Sequence, residues 1–127
     1  MKIMPLNDIL SMVSGTQDER LYDAESGKNY FVNISAKDHA EPLISESHDF
    51  EDDIYMVLEG AADLYLGGEI VGKREITKGQ WRGETLTEDA KMQRISAGDM
   101  VFIPATTPHM LDARNDKIKL AIVKIVE

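Results

Sequence analysis

The sequence predicts an all-β protein, either a sandwich or a barrel. Short apolar stretches with strand composition recur along the chain, and turn signals rich in glycine, proline and polar residues separate them about every ten residues. Only one segment, near the N-terminus, has the apolar spacing of a helix. The crossover helices that a doubly wound α/β fold requires are therefore missing from the pattern.

The predicted elements follow from local patterns. Asn7 is a suitable cap for a helix over Asp8 to Ser14, and Gly15 is a suitable stop. The predicted strands are Tyr30 to Ile34, the pair Leu43 and Ile44, Ile54 to Leu58, Asp63 to Leu66, Met92 to Ile95, Met100 to Ile103, His109 to Leu111 and Ile118 to Val126.

Glycines mark the predicted turns. Glu59 and Gly60 are expected to end the strand that begins at Ile54, and Gly67 and Gly68 are expected to turn a hairpin. The polar stretch from Gly72 to Ala90 predicts a long hairpin or flap.

Composition limits the function classes. A chain of 127 residues with 43% hydrophobic content is expected to form one domain with a single core. Its formal charge of -9 argues against nucleic acid and anionic membranes as partners. The absence of cysteine excludes disulfides, zinc thiolate sites and thiol nucleophiles. Without a signal-peptide pattern or a membrane-length apolar run, we expect a cytoplasmic protein.

The stretch GDMVFIPATTPHML presents a histidine in a rigid setting. Pro104 ends a short apolar strand, and Pro108 stiffens the chain directly before His109. A restrained imidazole suits a metal ligand or a general base. The alternative is a core histidine that makes a single hydrogen bond.

The stretch SESHDFEDDIYMVLEG adds candidate partners for that histidine. Glu46 and His48 lie two residues apart, so their side chains leave the same face of an extended chain. Asp53 leads into a strand on which it shares a face with Tyr55, and a carboxylate on a buried face needs a cation, a donor or a metal. A turn within residues 49–52 is required if Asp53 is to meet His48. The alternative is a solvated acidic turn.

These two stretches resemble the motifs of the cupin superfamily, in particular its small, single-domain, type 2-like members. The second cupin motif has a glycine, a proline, a second glycine and a metal-binding histidine at fixed spacing. Gly98, Pro104 and His109 match it, while Thr106 stands where the second glycine is usual.

The first cupin motif, aligned on Gly60, places Asp53 at its glutamate, His48 at its second histidine and Glu46 at its first. The chain thus departs from the family pattern at two of the ligand positions. Ala113 also stands where an asparagine often closes the second motif.

The resemblance implies a double-stranded β-helix, also called a jelly-roll barrel. The expected single domain covers residues 1–127, with a helical extension over 1–18 and the barrel from about residue 30. The implied metal ligands are Glu46, His48, Asp53 and His109. Two imidazoles with two carboxylates favour Mn, Fe or Zn over copper.

Other residues are weaker candidates. Tyr55 and Arg82 are the candidates for contact with a substrate, Arg82 by binding an anion together with Trp81 above the pocket. The favoured alternatives are that Tyr55 forms part of the barrel wall and that Arg82 and Trp81 pack within the hairpin. His39 lies in a polar loop and is expected to be exposed.

Two functions remain open at this point. One is a small metal-dependent enzyme that acts on an organic metabolite by dioxygenase, isomerase or lyase-type chemistry, with the metal as Lewis acid or oxygen activator. The other is a non-catalytic protein that binds a small ligand and has a decayed metal site. Strands that are apolar on both faces also predict a homodimer.

Overall fold

The computed structural model describes residues 2–127, over which the chain forms one short helix and ten strands. Met1, the first residue of the predicted domain, lies outside the described residues. The elements are α1 (Leu6–Leu10), β1 (Gln17–Asp23), β2 (Tyr30–Lys37), β3 (Ser45–His48), β4 (Glu51–Leu66), β5 (Arg74–Thr77), β6 (Gln80–Gly83), β7 (Lys91–Ser96), β8 (Met100–Ile103), β9 (His109–Asp112) and β10 (Ile118–Val126).

The strands form two antiparallel sheets that share the long strand β4. One sheet has the order β1-β2-β10-β4-β8, and the other has the order β7-β4-β9-β3-β6-β5. Apolar side chains from both sheets meet in one core, which includes Tyr55, Val57, Leu64, Ile103 and Leu120. The predicted all-β barrel is confirmed.

A bulge lets β4 serve both sheets. Up to Val57 the odd-numbered side chains are buried, whereas beyond Gly60 the even-numbered ones are. The change occurs because Leu58 has no partner in the pairing with β10, where Lys119 pairs with Glu59 but Leu120 pairs with Val57. The prediction that Glu59 and Gly60 end the strand was therefore wrong: the strand continues and changes sheet.

Gly60 is required where β4 changes sheet. Its φ of 78° lies in the left-handed region, and a Cβ there would be 2.0 Å from the Lys117 carbonyl oxygen. The Ala61 amide donates to that same carbonyl at 3.0 Å. The close approach of two backbones thus excludes any side chain.

The N-terminal helix is shorter and begins earlier than predicted. Pro5 precedes it without a side-chain cap, and the Pro5 carbonyl accepts the first hydrogen bonds, from Asp8 and Ile9. The helix ends at Leu10 rather than at Ser14 because Val13 is buried against the outer face of β2. Tertiary burial outweighs the local helix signal here.

Three other predictions differ from the structure. β1 was not predicted, because its sequence QDERLYD is polar and it lies mostly exposed along one edge of the sheet. The strand at Leu43 and Ile44 is wrong, since β3 begins at Ser45. Gly67 and Gly68 do not turn a hairpin, because the end of β4 pairs with β7 and β9 instead. The hairpin between Gly72 and Ala90 is confirmed as β5 and β6.

Within residues 2–127, no helix is long and apolar enough to cross a membrane.

We expect Gly60→Ala to lower the free energy of unfolding by about 3 kcal/mol or more, because the methyl group adds a backbone clash to an unfavourable φ. Urea unfolding measures this value. The matched control is Gly27→Ala in the β1–β2 turn, where φ is 88° and the new Cβ meets nothing within 4 Å. The control should lose only about 1 kcal/mol, and equal losses would contradict the role assigned to Gly60.

Candidate metal centre

The predicted site residues line one cavity of about 380 Å³ inside the barrel, between the two sheets. Its lining includes the four predicted metal ligands and both predicted substrate-contact residues; these are Glu46, His48, Asp53, His109, Tyr55 and Arg82. His109 and Asp53 are almost fully buried, with exposed fractions of 1% and 2%.

Strand register brings Glu46 and His109 together. β3 pairs with β9 so that Glu46 lies directly opposite His109, and directly opposite residues of antiparallel strands share a face. His48 lies two residues after Glu46 and so faces the cavity as well. On its other side β3 pairs with β6, which places Gln80 opposite His48 and Arg82 opposite Glu46.

The tight turn before β9 also fixes the end of β3. The Thr106 amide donates to the His48 carbonyl at 2.7 Å, although Thr106 has a φ of 71°. A β-branched residue in this region is strained. The glycine usual at this position in cupin motifs would adopt the same φ without strain.

The Nε2 atoms of both imidazoles point toward carboxylates. His109 Nε2 lies 3.3 Å from Glu46 Oε1 and 3.8 Å from Asp53 Oδ2. His48 Nε2 lies 3.4 Å from Asp53 Oδ2 and 3.6 Å from Glu46 Oε1. The ligand atoms of Glu46, His48 and His109 all lie within 4.8 Å of one another.

Both imidazoles are oriented through Nδ1. His109 Nδ1 donates to the Thr107 carbonyl at 2.9 Å, and His48 Nδ1 donates to Gln80 Oε1 at 2.6 Å. The Gln80 oxygen is the acceptor because its amide nitrogen donates to Glu51 at 2.9 Å. Each ring therefore presents Nε2 to the cavity, as metal-binding imidazoles do.

Asp53 is shared between the imidazoles and a buried lysine. Lys124 Nζ lies 2.8 Å from Asp53 Oδ1 and 3.6 Å from Glu51 Oε2. As predicted, the chain bends after His48, at residues 49–50, before β4 begins. This bend allows Asp53 to approach His48. Asp53 is thus close to the cluster but has a protein cation as a partner.

These contacts set the charges of the cluster. Burial opposes ionisation of Glu46, but the hydrogen bond with His109 and the attraction of the His109 and His48 imidazoles outweigh it and hold the pKa of Glu46 well below its usual value. Burial also opposes the charged form of His48, yet the nearby carboxylates of Asp53 and Glu46 raise its pKa to about 10. The pKa of Asp53 is lowered, against the effect of burial, by His48 and Lys124. Without a metal, His48 therefore carries a proton between two ionised carboxylates.

The two predicted substrate-contact residues differ in setting. Tyr55 is buried with its ring edge-on to His109, at a centroid distance of 6.3 Å, and burial followed by the charge of Glu46 raises its pKa well above the usual value. Arg82 is half-exposed, and its Nε lies 3.8 Å from Glu46 Oε2.

Two other residues singled out in the sequence lie elsewhere. Trp81 is not part of the cavity lining: its Nε1 donates to Asp49 at 3.0 Å, and Lys73 lies over its ring at 4.5 Å. It packs within the hairpin, so the interpretation that it closes over the pocket was wrong. His39 is exposed, as expected.

Sequence reasoning missed three polar residues around the site. Gln80, Glu51 and Lys124 link His48 back to Asp53 through hydrogen bonds and ion pairs, forming a closed ring of side chains. One signal was present: Lys124 shares a strand face with Leu120 and Ile122, an unusual place for a lysine without a buried partner.

Comparison with known proteins finds similarity in structure only. No family model and no curated protein matches this sequence. A cupin-2 domain protein from Shewanella frigidimarina is 17% identical, with 97% of this chain and 94% of that one covered and a TM-score of 0.64. KdgF from Halomonas is 17% identical, with coverages of 89% and 82% and a TM-score of 0.60. The polyketide cyclase RemF from Streptomyces resistomycificus is 18% identical, with coverages of 88% and 66% and a TM-score of 0.53.

This chain has the cupin fold. The resemblance stated from the two motifs is confirmed at the level of fold. In this chain the residues that match the cupin motifs meet in one cavity, although Glu46 stands where an imidazole is usual.

The donor set of this site fits a metal ion. His48 Nε2 is buried and makes no hydrogen bond with any of residues 2–127, even though carboxylate oxygens lie within 4 Å of it. A buried polar atom without a partner is costly, and a cation among the two Nε2 atoms and the carboxylates would satisfy it. Three such side chains can hold a divalent metal.

We expect Thr106→Gly to raise the free energy of unfolding by about 1 kcal/mol. Glycine removes the backbone strain at φ 71° in the folded state, and this gain is larger than the entropy that glycine adds to the unfolded state. Thr107→Gly is the matched control and should lower the value, since only the entropic cost of glycine applies. Urea unfolding of both variants tests this, and a loss of stability in Thr106→Gly would contradict it.

Proposed function

We propose that this cupin binds a divalent transition metal through Glu46, His48 and His109 and holds a small organic molecule beside it. The observation that carries the proposal is the unpartnered Nε2 of His48, which faces the carboxylates and lies beside the imidazole of His109. Imidazole nitrogens and carboxylate oxygens favour Mn, Fe or Zn over copper.

Asp53 is our proposed fourth ligand. Its Oδ2 faces both imidazoles, while its Oδ1 stays with Lys124. Lys124 would balance the negative charge that a second carboxylate brings to the site. Gln80 would hold His48 in the tautomer that presents Nε2, as residues behind metal ligands commonly do.

The residues around the centre have separable roles in this proposal. When bound, the metal supplies Lewis acidity or activates oxygen. Arg82 and Tyr55 would orient the organic molecule, and Leu120 and Ile122 would exclude water from the inner wall. One structural neighbour, RemF, is named a polyketide cyclase. Enzymatic use of the fold therefore has a precedent, but the reaction type depends on the site and not on the fold.

A specific observation favours a second candidate, a cupin that binds its ligand without catalysis. Lys124 already neutralises Asp53, and Glu46 stands where an imidazole is usual. A metal site in decay would have this composition. Metal content separates the two functions, because only the first requires a stoichiometric ion.

We expect purified protein to bind a stoichiometric divalent metal and His109→Gln to weaken Mn²⁺ binding by about 100-fold or more. Calorimetric titration and elemental analysis measure this. The matched control is His39→Gln, which removes an exposed imidazole outside the cavity and should bind Mn²⁺ like the wild type. Circular dichroism checks that both variants are folded. Native protein that is metal-free and resists loading with Mn²⁺, Fe²⁺ and Zn²⁺ would overturn the proposal.

We also propose a homodimer formed through the outer face of the β8-β4-β10 sheet. Ile54 pairs with Phe102 and with Val123, and Met56 pairs with Met100, so these side chains share one apolar face. Phe102 is 66% exposed and Met100 is 53% exposed. In a two-fold dimer this patch would meet its own copy, so apolar groups contact apolar groups without complementary charges. A cytoplasmic location stays a prediction.

We expect a dimer by light scattering at micromolar concentration, and we expect Phe102→Glu to yield a monomer because the buried charge would have no partner. Met92→Glu is the matched control: Met92 is 53% exposed but lies on β7 in the other sheet. A monomeric wild type, or dissociation by both substitutions alike, would contradict this interface.

A further inference from the structure

The cavity lining of this acidic protein carries charges of both signs, with four cations beside five carboxylates, those of Asp18, Glu41, Glu46, Glu51 and Asp53. Four of the chain's 14 lysines and arginines line the cavity; these are Arg20, Lys37, Arg82 and Lys124. Three of them have a committed carboxylate partner. Arg20 pairs with Asp23, Lys37 lies 3.0 Å from Glu41, and Lys124 lies 2.8 Å from Asp53.

Arg82 differs from the other three cations. Its one ionic contact among residues 2–127 is through Nε, at 3.8 Å from Glu46 Oε2. That distance is about 1 Å longer than a direct guanidinium–carboxylate hydrogen bond. The two Nη groups of Arg82 have no hydrogen-bond acceptor within the described part of the chain, and Glu46 directs its other oxygen to the imidazoles.

The neighbouring strand increases the positive charge at Arg82. β5 pairs with β6 so that Arg74 lies directly opposite Arg82, which itself lies opposite Glu46. Like charges directly opposite in a sheet are destabilising. Among residues 2–127 these two guanidinium groups have one carboxylate contact between them, the 3.8 Å contact of Arg82 with Glu46, which leaves a local excess of positive charge at the edge of the cavity.

The hairpin holds Arg82 in a defined position. Its neighbour Trp81 is anchored on the opposite face of β6 by the hydrogen bond to Asp49, and Lys73 covers the Trp81 ring. A guanidinium group presented from an anchored strand binds a carboxylate with little loss of entropy, and its fork matches the two carboxylate oxygens.

The cavity lining also has an apolar part. Leu111 lies on the same sheet as Arg82, Leu120 and Ile122 lie on the facing sheet, and Ile44 directly precedes β3. A volume of about 380 Å³ lies at the lower end of the range for small-molecule sites.

We propose that the cavity binds a small monocarboxylate whose anionic end is held by the Nη groups of Arg82 and whose apolar body packs on Ile44, Leu111 and Leu120. The carboxylate would neutralise the excess charge of Arg82 and Arg74. This inference deepens the proposed function because it names the substrate class of the same cavity, and it rests on that function for its relevance to catalysis.

The test compares carboxylates with their neutral amides on the full chain after treatment with a chelating resin. Benzoate and hexanoate are titrated against benzamide and hexanamide by calorimetry or NMR. We expect the carboxylates to bind with Kd near or below about 1 mM and at least about tenfold more tightly than the amides.

Substitutions then test whether Arg82 binds the carboxylate. Arg82→Gln should weaken carboxylate binding about tenfold or more, whereas Arg82→Lys should retain part of it because the charge remains without the fork. Lys91→Gln is the matched control, an exposed cation on β7 outside the cavity lining that loses the same charge; it should bind like the wild type.

The result of the carboxylate titrations can be distinguished from the result of the Mn²⁺ titration that tests the proposed function. Carboxylates and amides of equal affinity, no carboxylate binding, or wild-type binding by Arg82→Gln would each overturn the inference. Mn²⁺ binding is titrated in parallel without carboxylate. A failed Mn²⁺ titration with intact carboxylate binding would overturn the metal proposal alone.

Discussion

The pairing of β3 between β9 and β6 is the constraint on which the rest of the site depends. It sets Glu46 opposite His109 on one side and opposite Arg82 on the other, and it sets His48 opposite Gln80. A slip of one residue would turn Glu46 and His48 away from the cavity and point Ser45 and Ser47, which are buried on the other face of β3, into it. Both the proposed metal site and the proposed carboxylate site thus follow from one register.

Buried charges in the cavity are balanced locally rather than by solvent. Lys124 and the imidazoles keep Asp53 and Glu46 ionised, and these two carboxylates keep His48 protonated when no metal is present, against the opposing charge of Lys124. A metal ion would take the place of that proton, so the cluster accommodates either form of positive charge. Removing one member leaves an opposite charge buried without a partner, at a cost of several kcal/mol.

Sequence analysis predicted the parts of the fold and site that depend on local pattern. The spacing of Gly98, Pro104 and His109, and the alternation around Glu46 and His48, were enough to place three side chains in one cavity. The strand from Met100 to Ile103 and the strand from Ile118 to Val126 were predicted with the bounds that the structure gives them.

The remaining features depend on contacts between strands that are distant in sequence. The bulge at Leu58 changes which side chains of β4 face inward, and no residue-by-residue alternation encodes it. Lys124 and Gln80 meet the site only because β10 and β6 have their particular partners and registers. Lys124 matters most here, since it makes Asp53 an ion-pair partner as well as a candidate metal ligand. The motif alignment suggested only the metal ligand.

Anomalous diffraction from crystals grown with Mn²⁺ tests the central claim most directly, since it locates the ion as well as detecting it. We expect an anomalous peak within coordination distance of Glu46, His48 and His109, with His48 bound through Nε2. A well-ordered cavity without a peak, or a peak bound only by surface carboxylates, would contradict the account.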